Sequence, residues 1–273
     1  MSTMRGSAIR EIFKFAADPE VISLAGGNPA PELFPNEELA DIAAELLKNQ
    51  PVLSLQYGVT EGYTPLREAV KARLKRVEHI DNAGDEVIIV SGGQQGIELS
   101  TKALVNEGDT VIVEEPSFIG ALNAFRSYNA HLVGVKMDED GMNIASLEKA
   151  VAENKNAKLI YTIPTFQNPM GATMSLEKRK AVYEIARKNN LIIIEDNPYG
   201  DLTFDGTKVP TIKSMDTDGR VIYCGSFSKI LAPGLRIGFV CANQAIVQKI
   251  VVGKQISDVH TAMLPQLLAY EYM

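Results

Sequence analysis

SLEKRKAVYEIARKNNLIIIEDNPYGD, residues 175–201, sets a helical pattern directly against a strand and ends that strand on an acid. Val182, Ile185 and Ala186 recur at helical spacing behind Ser175, which predicts a helix over 175–190 with Ser175 as its N-cap. LIIIED (191–196) follows with no polar interruption, and a strand that is apolar at every position must be covered on both faces. A helix feeding such a strand is one unit of a doubly covered, mostly parallel sheet. Asp196 closes the strand. A carboxylate there must open into a cleft or meet a cation, so it reads either as a structural cap or ion pair, or as the counter-ion of a protonated ring nitrogen.

Working outward, the same alternation repeats. Strands are predicted at 86–90, 110–115, 131–137, 158–164, 220–227 and 236–242, with helices at 94–106, 118–128 and 146–154, the last capped by Ser146. The expected fold is a three-layer α/β/α arrangement around a mostly parallel seven-stranded sheet. No internal repeat and no low-complexity linker interrupts it.

The bulk composition fits one large domain or two small ones. The 273 residues are 45% hydrophobic and 22% charged, values ordinary for a globular chain. A net charge of −7 argues against a nucleic-acid surface. Cys224 and Cys241 form no CxxC pair and sit in apolar runs, which suits core thiols of a reduced, cytoplasmic protein. His79, His131 and His260 have no metal-ligand spacing and read as surface or packing residues. The N-terminal MSTMRGSAIREIF has no apolar signal core, and no run is long enough to span a bilayer.

Ligands of open α/β sheets bind beyond the carboxyl ends of the strands. Five strand ends here carry small, polar or charged residues: SGGQQG (91–96), EEPSF (114–118), PTFQNPMG (164–171), EDNPYGD (195–201) and GSFSK (225–229). SGGQQG opens a helix, where free N–H groups favour an anion such as phosphate; a plain strand-to-helix turn has the same look. In SFSKILAPGLRIGF (226–239), Lys229 and Arg236 sit in otherwise apolar chain. A lysine partly desolvated near another cation is a usable amine nucleophile. Arg236 with Ser226 and Ser228 can grip a phosphate. The stretch makes sense if one ligand carries both a carbonyl and a phosphate.

These motifs together resemble a family. Asp196 with Tyr199, then S-F-S-K at 226–229, then Arg236, all after N-P-x-G at 168–171, resembles the fold-type-I pyridoxal-phosphate aminotransferases of classes I and II. SAIREIF (7–13), SLAGGNPAPELFP (23–35) and LQYGVTEGYTPLREAV (55–70) are similar to the branch holding 2-aminoadipate, kynurenine and aromatic or branched-chain aminotransferases. The likeness covers essentially the whole chain.

The resemblance implies pyridoxal 5′-phosphate as cofactor and a set of roles. Lys229 would form the internal aldimine and carry the proton. Asp196 would pair with the ring nitrogen, Asn168 and Tyr199 with the ring oxygen, and Phe118 would stack where relatives often have tyrosine. Gly93, Gln94, Ser226, Ser228 and Arg236 would hold the phosphate. Gly93 stands where a serine or alanine is common, so only its N–H could contribute. Tyr57 would reach the phosphate of a partner copy in a homodimer. Gly27, Asn168 and the N-terminal Arg10 would line the substrate, an L-amino acid and then a 2-oxo acid such as 2-oxoglutarate.

The resemblance also implies a division: an N-terminal segment over 1–50, the cofactor domain over 51–273, and a smaller C-terminal domain whose arginine clamps the substrate carboxylate. This sequence runs out at LPQLLAYEYM, so the expectation is a chain lacking that last domain, which binds cofactor more surely than it turns over. A carbon–sulfur lyase or decarboxylase, an aminotransferase-like ligand-sensing domain of a regulator, and an inactive fragment remain the alternatives.

Overall fold

A computed structural model describes residues 20–22 and 27–273. Helices α1 (Asn36–Asn49), α2 (Pro51–Leu55) and α3 (Thr64–Glu78) precede the sheet. Then β1 (Asp85–Val90), α4 (Gly93–Leu104), β2 (Thr110–Glu115), α5 (Ile119–Ser127) and β3 (His131–Asp138) follow in turn. A two-residue β4 (Gly141–Met142), α6 (Ile144–Glu153), β5 (Ala157–Thr162), α7 (Leu176–Lys188) and β6 (Ile192–Asp196) come next. The last elements are β7 (Val221–Ser226), β8 (Gly238–Asn243), α8 (Gln244–Ser257) and α9 (Met263–Tyr272).

The strands form one sheet in the order β1-β8-β7-β6-β5-β2-β3-β4. The expected seven are present, and the short β4 adds an antiparallel edge to β3. The run β7-β6-β5-β2-β3 is parallel throughout. β8 is antiparallel to both β7 and β1. That reversal matters for the site, because it carries the start of β8 to the sheet edge where the other strands end.

The apolar runs are explained by the two covered faces. Successive residues of a strand point to opposite sides. Ile88 and Val90 of β1 pack under α4 and α8, while Val87 and Ile89 pack under α3. Val111 and Val113 of β2 join the first layer, and Ile112 joins the opposite one under α6 and α7. Each such fully buried Val or Ile contributes about 1.5–3 kcal/mol by leaving water. On the α7 helix, Val182, Ile185 and Ala186 are buried as their spacing predicts.

Two predicted caps differ in detail. The helix α6 begins two residues earlier than read, because the Asn143 side chain accepts the Ser146 N–H at 2.9 Å and is the true cap. Ser175 does sit at the N-cap of α7, but its side chain makes no capping bond. Arg236 was read as opening the last strand. It instead ends a 3-10 turn over Pro233–Leu235, in the left-handed region at φ 53°.

The loops that follow the strands are held down by buried charge. Arg179 of α7 is fully buried. Its guanidinium donates to the carbonyls of Met174 (2.9 Å), Pro164 (2.7 Å) and Pro210 (3.2 Å) and to the Thr165 hydroxyl (3.0 Å). Glu195, also fully buried, accepts the N–H groups of Ile212 and Lys213 at 2.9 and 2.7 Å. These bonds fasten the chain after β5 and after β6 to the body of the domain. Leaving buried carbonyls without donors costs about 1–3 kcal/mol each. Arg179→Met, which keeps the volume and removes the donors, should therefore lower stability by about 3 kcal/mol or more. A urea titration checks this through a lower midpoint at unchanged m-value.

Candidate active site

The carboxyl ends of β1, β2, β5, β6 and β7 and the start of β8 surround one cleft of about 450 Å³. Asp196, Asn168, Tyr199 and Phe118 line one end of it. Gly93, Gln94, Ser226, Ser228 and Arg236 line the other, and Lys229 faces both. Ten residues singled out in the sequence are thus brought together.

The second end is built on close backbone approach. Gly92 (φ 82°) turns the chain from β1 into α4. A side chain there would meet Arg236 Nη2 at 2.1 Å. Gly238, the first residue of β8, has no room for a Cβ either, because it would lie 2.8 Å from the Gly92 carbonyl carbon and the Gly93 nitrogen. With both side chains missing, Arg236 lies against the turn, and its Nη2 reaches the Ser91 carbonyl at 3.5 Å. Nη1 reaches Ser228 Oγ at 3.5 Å and the Pro233 carbonyl at 3.3 Å. The Ser228 N–H in turn donates to Ser226 Oγ at 3.1 Å. The Gln94 amide is already committed, donating to the Gly120 carbonyl at 2.9 Å. A guanidinium, two hydroxyls and the start of a helix therefore converge where an anion would be held.

At the first end Asp196 is buried, with 6% of its surface exposed. The sequence leaves it either an opening into a cleft or a cation. It lines the cleft, no cation among the described residues pairs with it, and its Oδ2 accepts the Tyr161 hydroxyl at 2.7 Å. Burial pushes its carboxyl up to about 6, against the lowering effect of that hydrogen bond. Asn168 Nδ2 lies 3.4 Å from the Tyr199 hydroxyl as donor, and burial raises the Tyr199 phenol. The ring of Phe118 packs against the core cluster beneath the cleft. Ser117, beside it, has a buried hydroxyl with no partner.

Lys229 is half-buried and donates from Nζ to the Gly27 carbonyl at 2.7 Å. Nζ also stands 6.0 Å from the centre of the Tyr199 ring. Its pKa is lowered, and burial is the cause. Burial alone accounts for the direction, without the neighbouring cations that the sequence suggests. Beyond Lys229 a second hollow of about 480 Å³ opens, lined by Gly27, Phe166, Leu202 and Phe204 and sharing Asn168, Tyr199 and Lys229 with the first. The amine stands at the junction of the two.

One named residue lies elsewhere. Tyr57 is 81% exposed and outside the cleft, with its ring edge-on to His260 at 5.8 Å. Arg10 falls outside the described residues. Three residues near the site escaped sequence reading. Tyr161 gave no signal, because an aromatic inside a strand looks like core. Glu114 lies in the polar strand end EEPSF, and the sequence assigns it no role. It is buried and pushed up to about 7 by that burial, although Thr162, Gln167 and Ile163 donate to it. Gln167 was read only as part of a loop. A carboxylate in the apolar run TVIVEE was the available clue. Among the described residues no cluster of His, Cys, Asp or Glu could hold a metal, and no helix is long and apolar enough to cross a membrane.

The sequence model for aminotransferases of class I and II matches residues 19–269. The chain belongs to that family. This aminotransferase chain is 43% identical over 274 residues to aromatic-amino-acid aminotransferase 1 of Thermococcus litoralis, covering 99% of this chain and 66% of that protein. It is 39% identical over 273 residues to the 2-aminoadipate transaminase of Thermus thermophilus, covering 99% of this chain and 67% of that protein. Among solved structures, the kynurenine aminotransferase of Pyrococcus horikoshii in complex with PMP, KYN and KYA matches with a TM-score of 0.94 at 40% identity. That match covers 99% of this chain and 68% of the other. The chain thus spans about two thirds of the length of the curated relatives it matches.

The raised Asp196 pKa has a sign that can be measured. Folded Asp196 keeps its proton up to about 6, whereas the unfolded carboxyl releases it near 3.8. Between those values the folded chain binds more protons, so this group makes stability fall as pH rises. In the cofactor-free aminotransferase, Asp196→Asn should remove that decline. Urea midpoints taken from pH 4 to 7 should fall less steeply in the variant than in the parent.

Proposed function

We propose that this chain binds pyridoxal 5′-phosphate in the cleft and that the protein it belongs to transfers an amino group from an L-amino acid to a 2-oxo acid such as 2-oxoglutarate. The donor on this reading is of the 2-aminoadipate, aromatic or branched-chain type. The observation that carries the reading is Lys229, an amine with a lowered pKa standing between an anion-holding corner, a buried carboxylate and an open second hollow.

The donor set fits the cofactor. Arg236, Ser226, Ser228 and the N–H of Gly93 suit a phosphate dianion, and the bare Gly92 lets the Arg236 guanidinium lie close against the turn. Asp196 suits a protonated pyridine nitrogen, Asn168 and Tyr199 a ring oxygen, and the Phe118 ring offers a face to stack on. The unpartnered Ser117 hydroxyl leaves one further polar group in the wall of the cleft.

When bound, the cofactor supplies an electron sink for the pair freed as a Cα–H bond breaks. Asp196 holds the proton on the ring nitrogen, and Tyr161 keeps that carboxylate aimed. Tyr199 and Asn168 bind the ring oxygen and fix the ring's rotation. Lys229, once free of Gly27, takes the proton from the substrate Cα and returns it on the other side of the exchange. Its lowered pKa raises the share of unprotonated amine above that of an ordinary lysine, which favours a general base.

Tyr57 fits the same reading in a homodimer. Its exposure outside its own cleft supports service to the site of a second copy. Leu202 and Phe204 offer apolar surface in the outer hollow, in keeping with an apolar donor side chain.

Borohydride reduction of the chain with pyridoxal phosphate, followed by peptide mass mapping, tests the site. The label should fall on Lys229 and vanish in Lys229→Ala. Labelling spread over many lysines overturns the assignment. Arg236→Ala should weaken cofactor affinity about 10- to 100-fold, the cost of losing charge-assisted bonds worth about 1.5–3 kcal/mol. Pyruvate and ammonia released with no amino acceptor present would make the enzyme a lyase instead.

A further inference from the structure

Gln167 occupies a position that the site's chemistry does not use directly. It is 2% exposed, although it neighbours Asn168 at the rim of the cleft. Its amide is fully engaged. Nε2 donates to Glu114 Oε2 at 2.9 Å and to the Pro116 carbonyl at 3.0 Å. Oε1 accepts the Met170 N–H at 2.9 Å. Its own backbone N–H donates to the Ala172 carbonyl at 2.8 Å, and its carbonyl accepts the Gly171 N–H.

Glu114 fixes the other end of this chain of bonds. It is 1% exposed at the end of β2. The Ile163 N–H and the Thr162 hydroxyl, both at the end of β5, donate to its Oε1. Its Oε2 accepts from Gln167. The two strands β2 and β5 are paired in parallel, so the loops leaving them run side by side. One loop carries Phe118, and the other carries Asn168. Gln167 is the side chain that bonds to both: to Pro116, two residues before Phe118, and to Met170, two residues after Asn168.

We infer that Gln167, braced by Glu114, is the positioning residue that sets the Asn168 amide and the Phe118 ring at a fixed spacing across the cofactor ring. The inference rests on the proposed cofactor reading. Neither residue lines the cofactor cleft, although Gln167 borders the outer hollow. A neutral amide is suited to the task, since it donates twice and accepts once with no charge left over in a buried place. The bracing carboxylate meets three donors, so truncating Gln167 leaves a buried acceptor short on one side and the Pro116 carbonyl short on the other.

The test uses the full 273-residue chain loaded with pyridoxal phosphate and two readouts besides activity. One is the dissociation constant of the cofactor, and the other is the pH at which its visible absorbance changes when bound. The variants are Gln167→Ala, Asn168→Ala and the two combined. If Gln167 acts through Asn168, each single variant raises the absorbance pH by about one unit and weakens affinity roughly tenfold. The combination then adds little to the absorbance shift, since residues that act as one unit are not additive. Additive shifts, or an unchanged absorbance pH in Gln167→Ala, overturn the inference and leave the cofactor reading standing. An unchanged absorbance pH in Asn168→Ala overturns the role of Asn168 itself, and the inference falls with it.

A second construction keeps the test sound should Gln167→Ala unfold. Glu114→Gln keeps the volume and an acceptor for the Ile163 N–H and the Thr162 hydroxyl, but turns an N–H toward Gln167 Nε2 and so breaks the brace. It should raise the absorbance pH in the same direction as Gln167→Ala. An unchanged absorbance pH in Glu114→Gln, with the fold intact by circular dichroism, counts against the positioning role.

Discussion

The contact between Gly238 and the turn at Gly92–Gly93 is the constraint on which the site depends. No side chain fits at Gly238, where a Cβ would lie 2.8 Å from backbone atoms of the turn, or at Gly92, where it would meet Arg236 Nη2 at 2.1 Å. This approach brings the start of the antiparallel β8 against the end of β1, and with it Arg236 against Ser91. Without it the guanidinium would have no seat, and the anion corner would be a turn like any other. The sheet supplies the rest: four neighbouring parallel strands end at the same level and deliver Asn168, Asp196, Lys229 and the loop of Phe118 to one edge.

Around that edge the loops are ordered by buried polar groups more than by apolar packing. Arg179 collects the carbonyls of the chain after β5, Glu195 the amides after β6, and Glu114 with Gln167 the loops after β2 and β5. Each is buried in the domain yet has donors or acceptors on all sides, so each is tolerable only with the loops in place. A satisfied buried network makes the loops rigid, which suits the proposed holding of a flat cofactor ring. The same arrangement makes these positions intolerant of truncation.

Much of this was legible in the sequence, and the reasons are particular. LIIIED and its neighbours point to a covered parallel sheet because most of their positions, Ile193 to Asp196 among them, are buried in the sheet between two layers of helices. The cleft residues were found because strand ends in such sheets carry the chemistry and because each departs from its apolar surroundings. Tyr161 was not found, since a tyrosine in a strand gives the same pattern whether its hydroxyl serves a carboxylate or a carbonyl. Arg236 was found but misplaced within a strand, because the left-handed turn that seats it is set by the glycines opposite and not by its own neighbours. Asn143 was passed over in favour of Ser146 because both residue types cap helices and only the local fold separates them.

The pairing of β1 has a consequence for how the chain comes together. β8 is the strand that β1 bonds to, and it lies near the far end of the described chain, with Asp85 opposite Asn243. On a ribosome, β1 is made early and must wait for most of the domain before its partner exists. Contacts so distant along the chain are slow to form. During that interval its four innermost residues, Val87 to Val90, have no sheet to enter. The half of the anion corner made by Gly92 and Gly93 is therefore finished by the last strand of the sheet to emerge, and the nascent chain carries an exposed apolar segment that invites chaperone binding or misassociation until then.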